Sequence, residues 1–465
     1  MTGRRSLMVA ALCLSLGCRK HRGHAHPPPS VAVDLTKPKP SRAFAILRSL
    51  TDEVGPRMSG TPGDARAVDW ALATMKSLGL ANVRAERVMV GHWERGDATA
   101  SLVSPAHQPL HLAALGGSIA TPESGIEAEV VAVTSLQALE DLPIESVRGK
   151  IVFFDKPMTR TRDGSGYGKA VDVRGKGAVA AAKKGAVAVL LRSVGTGPAR
   201  LPHTGAMRYV DDVPKIPAAA LAIPDAELLR RTVERGPTRV KLTLGCKQLD
   251  DAPSANVIGE VPGSEKPDEI VLIGAHLDSW DLGTGALDDG AGVAVVLEAA
   301  RLLTELPRRP RRTVRVVLFA NEESGLRGAN EYGKVHHEEL PRHVLGLELD
   351  LGAGKVYGVE YLAGPNAAAA FKAIAAPLGS MGIAAPIPSD HHGADLWPLR
   401  TAGVPVASLA QDATRYFDFH HTADDTLDKV DAAELDQVVA ATSAFTFAAA
   451  DAATDFGRIP EDKRK

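Results

Sequence analysis

The second half of the chain alternates short apolar segments with helical ones, and this alternation limits the fold more than any other feature. After Asn256, apolar runs that are typical of buried strands occur at 270–275, 314–320, 344–351 and 404–409. Segments with helical character separate or follow them. Because strands that alternate with helices form βαβ units, the pattern predicts an α/β fold in which helices cover a largely parallel sheet.

Residues 125–246 depart from this pattern and predict a second module. Shorter β-rich runs and helical segments follow one another there. We therefore expect a compact α/β module at 125–246, inserted between residues 42–124 and 247–455 of one catalytic domain. Periodicity alone does not show that the two flanking segments belong together.

Residues 1–18 have the pattern of an export signal, because two arginines precede an apolar run at 7–16. This run is too short to span a bilayer about 30 Å thick, which takes about 20 apolar residues. Cys18 ends a stretch that is similar to a bacterial lipoprotein cleavage box, and the paired arginines leave the twin-arginine route open. We expect an exported protein that is periplasmic, tethered to a membrane by lipid on Cys18, or secreted. Residues 19–41 are expected to form a disordered tether.

Charge and cysteine content argue against two kinds of protein. The formal net charge of −2 and the isoelectric point near 6.7 give no sign of the basic surface that nucleic acids require, so no nucleic-acid partner is expected. Cys13 and Cys18 lie in the export segment, which leaves Cys246 alone in the folded part. No disulfide framework can form within the chain, and we expect Cys246 to be a small buried side chain.

The strongest chemical signal stands where the first of the apolar strands ends. His276 and Asp278 lie there, and Asp288 follows twelve residues after the histidine. Open α/β sheets bind their ligands at strand ends. Side chains two residues apart on an extended chain point to the same side, so Asp278 is expected to approach the imidazole of His276 and to fix its tautomer while the other ring nitrogen binds metal.

Two adjacent carboxylates, Glu322 and Glu323, follow the next strand. Neighbouring carboxylates repel each other unless a cation or a proton lies between them. Because successive side chains diverge, one carboxylate can bind metal while the other accepts a proton from a water molecule. We assign Glu323 as the ligand and Glu322 as the base.

Later strand ends supply the remaining candidates. Asp350 stands at the end of the segment 344–351, and His420 and His421 follow the segment 404–409. Each of these motifs is common as a solvated turn when it stands alone. Their succession at the ends of neighbouring strands is what makes the set specific.

The complete set predicts a site for two zinc ions per chain, because carboxylate and imidazole donors together suit zinc. Asp288 would bridge the ions. His276 and Asp350 would bind one ion, and Glu323 and His421 would bind the other, with the ions about 3.5–4 Å apart.

The stretch that begins at His276, H-L-D-S-W-D-L-G-T-G-A-L-D-D-G-A-G, resembles the metal-binding stretch of metallopeptidase family 28. Shorter matches are V-G-P-R-M-S-G from Val54, G-H-W-E-R-G from Gly91 and P-H-T-G from Pro202. The resemblance spans about residues 45–450. It implies the α/β/α sandwich of zinc aminopeptidases with an inserted protease-associated domain, a homodimer, and hydrolysis of dipeptides with free termini.

The resemblance also implies the same site residues, with Glu322 as the base and with metal ligands at His276, Asp288, Glu323, Asp350 and His421. His421 is chosen because the family's general motif is H-T-x-x-D-T, whereas this chain reads H-H-T-A-D-D-T. His420 then stands where some relatives have a tyrosine that stabilises the tetrahedral intermediate. Contact between His420 and the oxyanion is therefore a hypothesis.

The function that follows is that of a zinc-dependent exopeptidase on small peptides, with dipeptides as the expected substrates. Glu322 would accept the proton of the attacking water and pass it to the leaving amine. An aminopeptidase that acts on longer peptides is the alternative, because no motif identifies the residues that select the peptide end. The alternative from a different class of protein is a non-catalytic binding protein with a protease-associated domain. Such a protein would lack a metal ligand or the base, and all six positions are filled here.

Overall fold

The computed structural model describes residues 35–36, 40–390 and 392–464. The expected export signal at 1–18, with its candidate lipidation site, lies outside the described residues, as does nearly all of the expected tether at 19–41. Within the described ranges, no helix is long and apolar enough to cross a membrane.

The strands of the described residues form two sheets of eight strands each. In chain order the strands are β1 (Ala81–Glu94), β2 (Ala98–Ser104), β3 (Gln108–Leu110), β4 (Leu112–Ala114), β5 (Ile126–Val133), β6 (Ile151–Phe154), β7 (Ala188–Arg192), β8 (Ala218–Leu221), β9 (Arg239–Leu244), β10 (Lys247–Val261), β11 (Lys266–His276), β12 (Arg312–Phe319), β13 (His343–Glu348), β14 (Val356–Leu362), β15 (Ile387–Pro388) and β16 (Val406–Gln411). The α-helices are α1 (Ala43–Ser49), α2 (Pro62–Ser77), α3 (Leu136–Glu140), α4 (Ile144–Val147), α5 (Ser165–Ala170), α6 (Asp172–Lys183), α7 (Ile223–Val233), α8 (Ala291–Thr304), α9 (Glu322–Gly325), α10 (Arg327–Val335), α11 (Ala368–Ala375), α12 (Trp397–Thr401) and α13 (Ala432–Asp451).

The first sheet has the strand order β1-β10-β12-β11-β13-β16-β14-β15. Its four central strands, β12, β11, β13 and β16, run parallel to their neighbours within this group. The outer strands β10 and β14 join this group antiparallel. The parallel core that the alternating pattern predicted is therefore confirmed.

Helices cover both faces of this sheet, because the central strands direct apolar side chains to both faces. Val271 and Ile273 of β11 pack in a buried cluster with residues of α1, α2, α8, α11 and α13. Leu272, between them, packs on the opposite face with residues of α10 and α12. This layering is the α/β/α sandwich that the resemblance implied.

Local signals in the sequence set where long helices begin. Helix α2 has Pro62 at its first position, and the side chain of Thr61 accepts the N–H of Asp64. Helix α13 follows Asp431, whose carboxylate accepts two backbone N–H groups of the first turn. Such caps satisfy donors that have no partner within the helix.

The second sheet has the order β3-β2-β9-β5-β6-β7-β8-β4 and lies between Ala98 and Leu244 in the chain. The expected start of the module at residue 125 is therefore wrong, because β2, β3 and β4 precede that residue and belong to this sheet. The partners of β2 and β4, which are β9 and β8, lie more than a hundred residues later, so local periodicity could not assign these strands. Cys246 is buried beside this sheet, as predicted.

The second sheet is inserted between two strands of the first. Strands β1 and β10 pair antiparallel, with Glu94 opposite Lys247, so the chain leaves the first sheet and returns to it at neighbouring positions. We call residues 95–246 the inserted module. Its assignment as a protease-associated domain stays a prediction.

Candidate metal centre

The predicted site residues meet at one edge of the first sheet. His276 is the last residue of β11, Glu322 and Glu323 open α9 just after β12, and Asp350 follows β13. His421 lies in the loop after β16. Because β12, β11, β13 and β16 are adjacent and parallel, their carboxyl ends bring these side chains together.

Asp288 lies between two imidazole rings. Its Oδ1 is 3.2 Å from His276 Nε2, and its Oδ2 is 3.1 Å from His421 Nε2. A second carboxylate contacts each ring, since Asp350 Oδ1 lies 3.5 Å from His276 Nε2 and Glu323 Oε2 lies 3.0 Å from His421 Nε2. The five predicted ligands thus form two groups that share Asp288.

The donor set fits metal ions. Donor atoms of His276, Asp288 and Asp350 lie within 4.8 Å of one another. Asp288 Oδ2 and Glu323 Oε1 are buried and accept no hydrogen bond. Buried carboxylate oxygens without a donor are costly, and a cation removes that cost. The mixture of carboxylates and imidazoles is typical of zinc and related divalent ions.

His420 and His421 are both candidates for the histidine ligand of the second group. Their rings stack with centroids 3.6 Å apart, and the donor atoms of both lie close enough to Asp288 to share an ion with it. His420 Nε2 is 3.6 Å from Asp288 Oδ2, farther than His421 Nε2, and only His421 also contacts Glu323. These distances favour His421 as the ligand and leave His420 beside it, with its Nδ1 buried and without a partner.

Asp278 supports His276 in a different way from the one expected. His276 Nδ1 donates to the backbone oxygen of Asp278 at 3.0 Å, whereas the nearest carboxylate oxygen of Asp278 is 3.7 Å away. The carboxylate instead accepts the hydroxyl of Ser59 at 2.8 Å and the backbone N–H of Glu322 at 3.0 Å. The tautomer of His276 is therefore set by a carbonyl, and the carboxylate of Asp278 positions the first residue of α9.

The two adjacent glutamates of the site have raised pKa values. Burial raises the pKa of Glu322 well above its usual range, and the charges of Asp350 and Glu323 add to this effect. Burial and the charge of Asp288 raise the pKa of Glu323 to about 7. Cations bound among these groups would stabilise their charged forms.

Three supporting residues were missed by the sequence reasoning. The guanidinium of Arg57 is fully buried and donates to the backbone oxygens of Leu277, Thr284 and Gly285, all in the loop between His276 and Asp288. Asp289 accepts the N–H of His276 at 3.1 Å, and Asp425 accepts the N–H of Asp288 at 3.2 Å. Arg57 lies in the V-G-P-R-M-S-G motif and Asp425 in the H-H-T-A-D-D-T motif, so position within these motifs was an available signal.

A cavity of about 600 Å³ opens beside the two donor groups, and residues of the catalytic domain and of the inserted module line it. Glu322, His420 and His421 line one part, and Tyr167 and Arg174 of the inserted module line another. Arg174 donates through Nη2 to the hydroxyl of Tyr167 at 2.6 Å, while its Nε is buried and has no partner. The module therefore contributes a cation to a cavity that is otherwise rich in carboxylates.

Comparisons with known proteins agree over most of the chain. A family model described as Peptidase family M28 matches residues 256–446. Carboxypeptidase Q of Mus musculus is 38% identical over 412 residues, which cover 88% of this chain and 86% of that protein. The crystal structure of a peptidase M28 precursor from Shewanella amazonensis SB2B superposes with a TM-score of 0.91 at 46% identity, covering 93% of this chain and 98% of that one.

A zinc aminopeptidase from Bacillus subtilis shares the fold, with a TM-score of 0.65 at 22% identity and coverage of 92% of this chain and 99% of that one. The likeness to carboxypeptidase Q and to the Shewanella structure extends over both sheets and confirms the resemblance that the motifs indicated. The chain therefore belongs to peptidase family M28 and is a hydrolase of peptide bonds.

Proposed function

We propose that the chain is a zinc-dependent exopeptidase that hydrolyses small peptides, dipeptides above all, with two zinc ions per chain. The observation that carries the proposal is the position of Asp288, whose two oxygens face the Nε2 atoms of His276 and His421 at 3.2 and 3.1 Å. Each of these imidazoles contacts a further carboxylate. Two donor groups that share one carboxylate support a site for a pair of ions.

Zinc is proposed because imidazole and carboxylate ligands suit it. His276 and Asp350 would hold one ion, Glu323 and His421 the other, and Asp288 both. When bound, such a pair lowers the pKa of a water molecule and polarises the carbonyl group of the scissile bond.

Glu322 is proposed as the general base. Its backbone is held by Asp278 and its side chain lines the cavity next to Glu323. The carboxylate accepts a proton as the water oxygen bonds to the carbonyl carbon, and it returns that proton to the nitrogen as the C–N bond breaks. The peptide leaves as an acid and an amine, with no covalent intermediate on the chain.

His420 is proposed to donate a hydrogen bond to the oxygen that becomes negative during the attack. Its ring stacks on His421 and lines the cavity. A donor placed where charge develops stabilises the transition state more than the substrate.

Arg174 supports a preference for peptides with a free carboxylate next to the scissile bond. Its guanidinium lies at the wall of the cavity, and Nε has no protein partner. A guanidinium N–H donates a strong, charge-assisted hydrogen bond to a carboxylate.

The test compares a dipeptide with its N-acetylated and C-amidated forms. A dipeptidase loses kcat/KM with either block, because both termini are bound. An aminopeptidase tolerates the amide and loses activity only on acetylation. Equal cleavage of all three peptides would contradict an exopeptidase.

A homodimer and export from the cytoplasm are further proposals, the first resting on the family resemblance and the second on residues 1–18. Sedimentation of the purified chain tests the first. Fractionation of cells, with and without replacement of Cys18, tests the second and distinguishes a lipid tether from a secreted form.

A further inference from the structure

One loop of the inserted module is hydrogen-bonded to His421 of the second donor group and to His420 beside it. The loop is Pro202 to Gly205, the P-H-T-G motif. Thr204 N–H donates to the backbone oxygen of His421 at 3.0 Å, and His421 Nδ1 donates to the backbone oxygen of Thr204 at 3.2 Å. His203 Nδ1 donates to the backbone oxygen of His420 at 2.7 Å.

These contacts act on a residue with an unusual backbone. His421 has a φ of +64°, in the left-handed region that residues other than glycine seldom adopt. The backbone of Thr204 is hydrogen-bonded both to the backbone oxygen and to the ring of His421. Donation from Nδ1 to a carbonyl leaves the lone pair of Nε2 directed at Asp288 and Glu323.

The loop is itself anchored inside the module. The hydroxyl of Thr204 donates to the backbone oxygen of Ala114 at 2.9 Å and accepts Nη1 of Arg95 at 2.9 Å. The backbone N–H of His203 donates to Ser193 Oγ at 2.8 Å. The packing of the inserted module therefore supports the position of Thr204.

The direct hydrogen bonds of His276 come from its own segment, although Arg95 of the module also binds Asp281 farther along the same loop, at 2.9 Å. His276 Nδ1 donates to the backbone oxygen of Asp278, two residues away in the same segment, and its N–H donates to Asp289. Both partners belong to the loop that follows β11. The imidazoles of His276 and His421 thus donate their Nδ1 hydrogen bonds to different parts of the chain.

We infer that the inserted module directly supports the histidine ligand of one metal site and not that of the other, through the backbone of Thr204 acting on His421 and the ring of His203 acting on the backbone of the preceding residue, His420. This inference rests on the proposed function, since it requires two ions. Thr204 and His203 are positioning residues that act through the two histidines.

The experiment is a zinc titration of the metal-free full-length protein in competition with a chromophoric chelator, which yields the affinity of each ion. Thr204→Val removes the hydroxyl that anchors the loop, and His203→Ala removes the donor to His420. Loss of a supporting hydrogen bond around a metal ligand lowers affinity by about 10- to 100-fold. We expect a loss of this size for one ion and a clearly smaller change for the other, which shares Asp288 with it.

His343→Ala is the matched control. His343 is as fully buried as His203 and also makes two hydrogen bonds, to Tyr332 and to the backbone of Glu339, but it lies away from the donor groups. Both zinc affinities should be unchanged in this variant. His203→Asn keeps an N–H near the position of Nδ1 and should restore much of the lost affinity, which shows that the bond and not the volume matters.

Equal losses at both ions, or no loss at either, would overturn the inference while leaving the proposed function intact. If the wild-type protein binds fewer than two zinc ions, this result would contradict the proposed function and therefore the inference as well. If Thr204→Val does not fold, the comparison of His203→Asn with His203→Ala decides the question alone.

Discussion

The carboxylate of Asp425 holds the backbone of Asp288: its Oδ2 accepts the N–H of Asp288 at 3.2 Å, and its Oδ1 accepts the N–H of Leu287 at 2.6 Å. Asp425 stands four residues after His421. One short loop therefore carries a proposed ligand and also the support for the proposed bridging carboxylate. The two donor groups are coupled through this loop as well as through Asp288 itself.

Asp425→Asn is expected to lower the metal affinity about 10- to 100-fold, because the amide presents a donor to a backbone N–H where an acceptor is required. Competition with a chelator measures the change. Asp431→Asn is the control, since Asp431 makes the same kind of contact at the start of α13, away from the site. An unchanged affinity in Asp425→Asn would show that Asp288 holds its position without this support.

Arg57→Met is expected to destabilise the metal-free protein strongly. The change removes a donor from three backbone oxygens and leaves those of Leu277 and Thr284 without one, and each such loss costs about 1–3 kcal/mol. Arg327→Met removes an exposed ion pair with Asp251 and should cost at most about 1 kcal/mol. Thermal unfolding of both variants tests this difference. Equal shifts in Tm would mean that Arg57 contributes no more than a surface arginine.

Arg174→Met is expected to lower kcat/KM for a dipeptide about 10- to 100-fold, since a hydrogen bond to a charged group contributes about 1.5–3 kcal/mol. The loss should appear mainly in KM. Cleavage of the C-amidated dipeptide, which has no carboxylate to bind, should be the same in wild type and variant. A parallel loss on both substrates would show that Arg174 acts on the structure of the cavity and not on the peptide terminus.

A pH-dependent contribution to stability lies away from the site, where His336 binds Glu86 at 2.9 Å and Glu339 at 2.8 Å. Burial lowers the pKa of His336, but the bonds to Glu339 and Glu86 outweigh it and raise the pKa above its ordinary value. Hydrogen bonding with His336, reinforced by Arg315, holds the pKa of Glu339 well below its usual range.

Because folding raises the pKa of His336, its protonation stabilises the folded protein fully below the pKa of about 6.5 in the unfolded chain. This stabilisation is lost as the pH rises through the pKa in the folded protein. Because folding lowers the pKa of Glu339, its ionised carboxylate stabilises the folded protein above about pH 4.3. This stabilisation is lost only in stronger acid. His336→Gln should therefore lower Tm more at pH 5.5 than at pH 9. His337→Gln, at the exposed neighbour, should have little effect at either pH. An equal shift of His336→Gln at both values would contradict the charged pair.

The parallel core and the segments that meet at its edge could be predicted, because they rest on local patterns. Apolar runs followed by polar residues locate His276, Glu322 and Asp350 at strand ends without knowledge of the fold. The partners of these residues come from distant segments. Arg57 and Thr204 lie far from His276 and His421 in the chain, and long-range contacts such as the pairing of β1 with β10 bring these parts together. The same long-range pairing hid the true start of the inserted module.

The role of Asp278 shows a second limit. Spacing placed it beside His276, but spacing does not say whether a backbone or a side-chain oxygen faces the ring. The turn after β11 directs the carbonyl to Nδ1 and frees the carboxylate for Ser59 and Glu322. The sequence prediction was right about the neighbour and wrong about the atom.

The most direct test of the central claim is the zinc content of purified wild-type protein and of Glu322→Gln, measured together with dipeptide hydrolysis by both. Glu322 is proposed to move a proton and not to hold metal, so both proteins should contain two zinc ions per chain. The variant should lose about 100- to 10,000-fold in kcat. A wild-type protein without zinc, or a variant with unchanged activity, would contradict the proposed mechanism.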